Sequence, residues 1–400
     1  MKNFEELSNF IKNNNDWLLK LIPWLKSYHE CDYNNDWVII MYNLFEIPTD
    51  PLLYKIICEC RGTVVNKKTG EIISAPFIKF WNYGEEKADK NIDWENAIYS
   101  MKKDGWLCKL IKYNDKFYVF TNGMFLSKNN SGAPVEATIH PEYGFKTIGD
   151  VLLYCLNSKG FNDDGSIIIN EDWANNINNG DTVMFELETP WNVVHTHLTD
   201  KPLLWFIGYR KADGQEINIY KEKINMPFSI PKVYDYHSSD ELVSEMKKWK
   251  IDKEGEGIVV LSIDNNNNFH RVKIKCDDYL RVKYLERDTI SDNRLFSLML
   301  NGEVDDLIAA DENLSIRTKH IQESYDRFVK LCKGFSTHMN WLKSIYANDR
   351  KKIAEFLKDK EEFSILMACY DGYEKFIKQK TEQWKIKKDS YNELIKILEI

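Results

Sequence analysis

"RVKIKCDDYL", residues 271–280, begins in one kind of pattern and ends in another. Arg271, Lys273 and Lys275 alternate with Val272, Ile274 and Cys276, the period-two signature of an extended strand with two distinct faces. Beyond it the texture changes. All ten prolines lie at or before Pro231, and after residue 290 only Gly302, Gly334 and Gly372 remain. Apolar pairs there, such as Leu307 with Ile308 and Phe356 with Leu357, fall at helical spacing. The stretch therefore marks the point where a sheet-bearing region gives way to a helical one. The chain reads as an α+β protein, with mixed and antiparallel sheets in residues 1–285 and an all-helical C-terminal domain over 286–400.

Upstream, short alternating segments are separated by Gly, Asn and Asp turns: "DWVIIMYNLF", "IICECRGTVV", "KFYVFTNGMF", "DTVMFELETP", "LLWFIGYR" and "GEGIVVLSI". These are expected strands. Residues 3–27, 147–158 and 239–250 carry helical patterns, and "DNNNNF" at 264–269 suits a hairpin loop. There is no internal repeat. Four hundred residues, 43% hydrophobic and 29% charged, suffice for two cores.

Other classes are disfavoured by composition. No apolar run approaches membrane-spanning length, and "MKNFEELSNFIKNNNDWLLKL" places acids and asparagines where a signal peptide needs an uninterrupted apolar stretch. The expectation is a cytoplasmic protein without membrane contact, in the host cytoplasm for a viral chain. The eight cysteines contain no C-x-x-C pair and are expected as reduced thiols. Residues 291–400 carry 19 Lys+Arg against 19 Asp+Glu, so the first 290 hold the entire net charge of −8. Neither part is a broadly basic nucleic-acid binder. Polyanion contact must come from local clusters: Lys102 with Lys103, or Arg271 with Lys273 and Lys275. The late run from Lys375 to Lys388 reads as a solvated helix face.

Within "IYSMKKDGWLCKL", residues 98–110, K-K-D-G taken alone suits a hairpin turn with both lysines in water. Its companions in chain order change that reading: "ECRG" at Arg61, "IKFWN" at Lys79, "KKDGW" at Lys102, "FEL" with "TPWN" at Glu186, "EGIV" at Glu256 and "VKIKCDDY" at Lys273 and Lys275. This series resembles the covalent nucleotidyltransferases, the superfamily of polynucleotide ligases and capping enzymes. It is most similar to the phage-type ATP-dependent RNA ligases that repair nicked transfer RNA. The resemblance runs from about Tyr42 to Lys275, with a fainter echo in "MACYDGY" at 367–373.

The resemblance implies an N-terminal adenylyltransferase domain, 1–285, and residue roles within it. Lys102 would be the nucleophile that takes AMP from ATP, a task requiring an amine that is neutral at the moment of attack. Arg61, Lys273 and Lys275 would serve catalysis as cations around the phosphates, joined in nucleotide binding by Lys79. Glu186 and Glu256 would contact the nucleotide and hold magnesium, with manganese as the alternative; hard carboxylate oxygens are what such ions require. Tyr42 and Trp81 are the aromatic candidates for adenine, ahead of Phe80 and Tyr209. Lys103 falls at the variable position and points to solvent or towards substrate phosphate. Glu188, on the same strand face two residues after Glu186, reads as an acid at the strand edge before Pro190, ahead of an acid that supports Glu186. His195 and His197 in "VVHTHLTD" lack a third ligand for zinc.

Two positions depart from the family pattern: Trp106 stands where the family often has serine, and Asn122 in "FTNGMF" stands where it has a lysine, a lost cation that either weakens binding of the nucleic-acid 5′-phosphate or is supplied by Lys103. DNA ligases and capping enzymes continue into a small β-barrel after the last lysine motif, whereas here the chain turns helical. The expected function is therefore ATP-dependent joining of RNA 3′-hydroxyl and 5′-phosphate ends, with structured RNA such as transfer RNA as substrate and end-healing enzymes as partners. The alternatives are a capping-type guanylyltransferase and a non-enzymatic nucleotide- or RNA-binding module.

Overall fold

The structure is a computed structural model that describes residues 4–43, 48–135, 144–190, 199–250, 255–284, 290–304, 312–360 and 362–399. His195, His197, Leu307 and Ile308 lie outside the described residues. The chain divides into two compact units, Met1–Lys283 and Tyr284–Ile400.

Three sheets build the first unit. One is the antiparallel set β1 (Leu25–Glu30), β2 (Trp37–Tyr42), β3 (Arg61–Asn66) and β4 (Ile72–Ser74), in that order. Among the described residues the strands continue in chain order with β5 (Trp81–Asn82), β6 (Ile98–Lys102), β7 (Trp106–Tyr113), β8 (Lys116–Thr121), β9 (Ser158–Phe161) and β10 (Ile167–Ile169). The remainder are β11 (Thr182–Glu188), β12 (Leu203–Arg210), β13 (Glu216–Ile217), β14 (Val233–Tyr234), β15 (Gly257–Ile263) and β16 (Phe269–Lys275). A seven-stranded sheet runs β13-β12-β11-β7-β8-β10-β9, and a five-stranded sheet runs β14-β6-β15-β16-β5, whose last pair is parallel.

Alternation along the strands sorts side chains into separate cores. Val38, Ile40 and Val65 pack under the N-terminal helices around Leu7, Trp17 and Ile56. Their neighbours Trp37, Ile39 and Val64 point the other way, onto Ile111, Tyr118 and Phe120 of the seven-stranded sheet. The far face of that sheet, with Leu110, Val183 and Phe185, is covered by the helix Ile148–Cys155, whose Thr147 and Asp150 form a reciprocal capping box. The five-stranded sheet packs Tyr99, Ile258 and Val272 against the helix Ser239–Met246 and against Cys276 and Tyr279.

Several sequence expectations need correction. The helical pattern of residues 3–27 ends early: its described part holds helices Glu5–Asn13 and Trp17–Leu21, and Leu25 already begins β1. "IICE" is the end of a helix, Pro51–Glu59, whose Asp50 side chain accepts from the Leu53 N–H; only from Arg61 does the segment become a strand. Buried Glu59 explains the helix, because its carboxylate oxygens accept the backbone N–H groups of Phe4 and Leu7 and tie the N-terminal helix down. The expected hairpin at "DNNNNF" is present between β15 and β16.

Among its described residues the second unit has only helices: Asp292–Asn301, Glu312–Ile345, Arg350–Leu357, Phe363–Ala368, Tyr373–Ile386 and Ser390–Leu398, with one short 3-10 turn, Cys369–Asp371. Phe296, Phe328 and Trp384 meet ring to ring at its centre. No helix among the described residues is long and apolar enough to cross a membrane.

Arg271, an expected phosphate ligand cluster member, is occupied elsewhere. Its guanidinium and that of Arg210, which is fully buried, converge on Glu216, with Arg210 Nη2 at 2.9 Å and Arg271 Nη1 at 3.1 Å from Oε2. This pins β12 and β13 to β16. Replacing Glu216 by alanine strands a buried guanidinium, and urea unfolding should register a loss of roughly 3–5 kcal/mol; an unchanged midpoint would contradict the role assigned to this cluster.

Candidate active site

Lys102 is the last residue of β6 and Trp106 the first of β7, and those strands belong to different sheets. The K-x-D-G stretch is therefore a crossing from one sheet to the other, not the hairpin turn that Asp-Gly suggests locally. Glycine is required at 105 because the backbone passes directly over β11: a Cβ there would lie 2.2 Å from the Leu187 carbonyl oxygen.

On the other side of Lys102 stands β15. Its first residue, Gly257, is opposite Lys102 on β6 and opposite Lys275 on β16. A Cβ at Gly257 would lie 2.1 Å from the Ile274 carbonyl oxygen, so the three strands close on that point. Glu256, immediately before, reaches both lysines: Lys102 Nζ donates to Oε2 at 2.5 Å and Lys275 Nζ lies 2.5 Å from Oε1. The carboxyl is buried. Burial works to raise its pKa, but the two ammonium charges and their hydrogen bonds outweigh that and hold it below the ordinary carboxylate value. Lys273, two residues before Lys275 on β16, shares its strand face.

Glu186 comes from the seven-stranded sheet, opposite Leu107 on β7 and Trp205 on β12. Desolvation pushes its carboxyl up to about 7; the charges of Glu256 and Asp104 act in the same direction, and Lys102 and Arg61 oppose them. Two carboxylates, one destabilised by burial and by its neighbour, are a fitting donor set for a hard divalent cation, which takes one or two carboxylates and completes its shell with water and substrate oxygens. Among the described residues no group of three or more His, Cys, Asp and Glu stands together as a metal cage.

The flanking cations arrive from the first sheet. Arg61 opens β3, its guanidinium carbon 5.4 Å from the Phe80 ring centroid, and its Nη1 is buried with no hydrogen-bond partner among the described residues. Lys79 Nζ lies over two rings, 4.8 Å from the Tyr42 centroid and 3.5 Å from that of Trp81. Trp81 and Asn82 of β5 pair with Val272 and Lys273, which carries this aromatic platform to the edge of the same sheet as Lys275. Tyr209 belongs to the core instead, its hydroxyl 2.5 Å from Asp181 Oδ2.

Lys103 does not point to solvent. Its ammonium sits 3.7 Å from the Trp205 ring centroid and 3.4 Å from Glu188 Oε2, the oxygen that also accepts from Trp205 Nε1 at 2.6 Å. Glu188 is accordingly no strand-edge acid: it is 2% exposed, and the cation–π and ionic contacts fasten the crossing on the side away from Lys102. Sequence reasoning missed Lys109 altogether. It lies mid-strand in β7, fully buried, and donates to the Gly62 carbonyl oxygen. Burial, with a smaller push from Arg61, brings its amine down to about 7. A lysine within the apolar run "WLCKLI" of a central strand was the available signal.

The arrangement can bind a phosphate-bearing ligand through Arg61, Lys79, Lys273 and Lys275 and present the Lys102 amine to it. Residues 59–279, more than half of the chain, match the family model described as RNA ligase. A protein of Autographa californica nuclear polyhedrosis virus named as a bifunctional polynucleotide kinase/RNA ligase is 27% identical over 314 residues, covering 76% of this chain and 41% of its own length. One from Thermovibrio ammonificans named as an RNA ligase is 26% identical over 272 residues, 65% of this chain and 63% of its own. This chain thus spans less than two thirds of either relative. Among solved structures, an archaeal ATP-dependent RNA ligase aligns at TM-score 0.43 and 8% identity, over 75% of this chain and 68% of its own.

The Glu186 shift has a definite sign. With a folded pKa raised from 4.5 to about 7, ionisation costs the folded state stability as pH rises between those values. Glu186→Gln, neutral throughout, should melt at a higher temperature than the parent at pH 8 in chelator, and the difference should vanish near pH 4. Equal melting points at both pH values would remove the raised carboxyl pKa assigned to Glu186.

Proposed function

We propose that this chain, which belongs to the RNA ligase family, is an ATP-dependent RNA ligase that seals a 3′-hydroxyl to a 5′-phosphate through a lysine-AMP intermediate. The observation that carries the proposal is the Lys102 amine at the end of β6, held by Glu256 at 2.5 Å and flanked by Lys275 and by Glu186 from the neighbouring sheet. In the first step Lys102 Nζ attacks the α-phosphorus of ATP; an N–P bond forms, the bond to the bridging oxygen breaks and pyrophosphate leaves. Attack needs a neutral amine, so the proton shared with Glu256 passes to solvent before that bond forms. In the second step a 5′-phosphate oxygen of RNA attacks the same phosphorus, and the amine is regained. In the third the 3′-hydroxyl attacks the RNA phosphate, and AMP departs.

Each step is an in-line displacement at phosphorus whose charge gathers on non-bridging oxygens. Arg61, Lys273 and Lys275 supply fixed positive charge for them, and Lys79 directs its ammonium from the Tyr42–Trp81 platform, against which the adenine would stack. Glu186 and Glu256 would hold magnesium or manganese, which when bound adds positive charge beside the phosphates.

The assignment of residues 1–285 to the adenylyltransferase part and 286–400 to RNA docking belongs to the same proposal. In the second unit Trp341, Ile345 and Phe356 are largely exposed, while Lys343 and Arg350 lie 4.2 and 5.0 Å from the Tyr370 ring centroid. Stacking surfaces beside cations suit unpaired bases of a structured RNA, transfer RNA being the class the motif series favours. End-healing partners would supply the matched termini.

Incubation with magnesium and ATP labelled at the α-phosphate should leave label on the protein after denaturing electrophoresis. Lys102→Ala should abolish it, a loss of at least about 100-fold, and Lys103→Ala should retain it in part. Label from GTP alone would favour capping chemistry, and none from either nucleotide would leave only a binding module.

A further inference from the structure

Lys109 has a place in the site that no motif assigns. Its ammonium is fully buried in the middle of β7, and its hydrogen bond goes to the carbonyl of Gly62, the residue after Arg61. Gly62 adopts φ +77°, and a Cβ there would fall 2.1 Å from the Asn122 carbonyl oxygen and 2.5 Å from Asn122 Oδ1. The Arg61–Gly62 bend is thus gripped from two sides, by the Lys109 amine and by the backbone of the loop after β8.

Two further atoms at this bend lack partners. Arg61 Nη1 and Asn122 Oδ1 are both buried and make no hydrogen bond among the described residues. A buried guanidinium N–H without an acceptor is costly, and so is a lysine with no carboxylate beside it: in the contacts described Lys109 meets only the neutral Gly62 carbonyl and, at 5.9 Å, the Phe120 ring. Both costs have a common explanation if an anion completes the site. Lys103, the cation expected to compensate for Asn122, is engaged by Trp205 and Glu188 and faces elsewhere.

We infer that Lys109 is a positioning residue for nucleotide binding: by holding the Gly62 carbonyl it fixes the bend so that the Arg61 guanidinium awaits a phosphate oxygen of ATP. When protonated, the buried amine also adds positive charge at this bend, where Asn122 provides none. This inference rests on the ligase reading for its ligand, but its test does not depend on turnover.

Lys109→Met removes both charge and donor at nearly constant volume; Lys109→Gln keeps an N–H able to reach towards the Gly62 carbonyl. ATP affinity is read by calorimetry with magnesium in a Lys102→Ala background, where no adduct can form. Adduct formation against ATP concentration is read with Lys102 intact. Lys109→Met should weaken ATP binding and raise the KM of adduct formation by about tenfold, with its melting temperature at pH 7 no lower than the parent's, because a buried amine with no carboxylate beside it has been removed. Lys109→Gln should recover much of the affinity. ATP affinity unchanged in Lys109→Met overturns the inference, as does a loss that tracks a lowered melting temperature and is not relieved in Lys109→Gln. A parent that binds ATP but forms no adduct overturns the ligase reading alone, and the affinity comparison still decides for or against Lys109. A parent that binds no ATP overturns both.

Discussion

One carboxylate shared between two lysines organises the first unit. Glu256 can reach Lys102 and Lys275 together only because Gly257 is flanked in register by both, on β6 and on β16. A slip of one residue in either pairing would turn one ammonium to the opposite face of the sheet. The cluster is also demanding electrostatically. Desolvating a carboxylate is expensive, and it stays ionised here because two cations repay that cost within hydrogen-bonding distance. Register, burial and charge are thereby tied to one another at the point where these three strands meet.

The second constraint is that the site is split between sheets. Lys102 and Lys275 belong to the five-stranded sheet, Glu186 to the seven-stranded sheet and Arg61 to the four-stranded one. The stretch from Lys103 to Gly105 is the bridge between two of them, and it is fastened by Lys103 on Trp205 and Glu188 and by the close pass of Gly105 over Leu187. Lysines adjacent in sequence thus have opposite duties, one aimed into the cluster and the other spent on holding the bend.

Much of this was legible beforehand. Period-two alternation located β2, β3, β8, β11, β12, β15 and β16, and the disappearance of proline with the thinning of glycine located the helical part. What failed did so for identifiable reasons. "KKDG" carries a hairpin signal because local turn chemistry does not record whether the next strand joins the same sheet. "IICE" looks extended because its β-branched residues mask a helix set by Asp50 and by the buried Glu59 carboxylate. Arg271 looked like a third phosphate ligand, but the acid that claims it, Glu216, is 55 residues away. Lys109 was passed over because a buried lysine leaves no periodic mark except its intrusion into an apolar run.

Glu256 is separated from Lys102 by 154 residues of chain. A chain made at the usual 5–20 residues per second would therefore carry Lys102 without its carboxylate for roughly 8–30 s after that lysine is added. The amine and its carboxylate meet only when β15 and β16 dock beside β6, which are among the last strands of the unit to be synthesised. The ordered cluster is consequently a late product of folding, and its assembly reports that the first unit is complete.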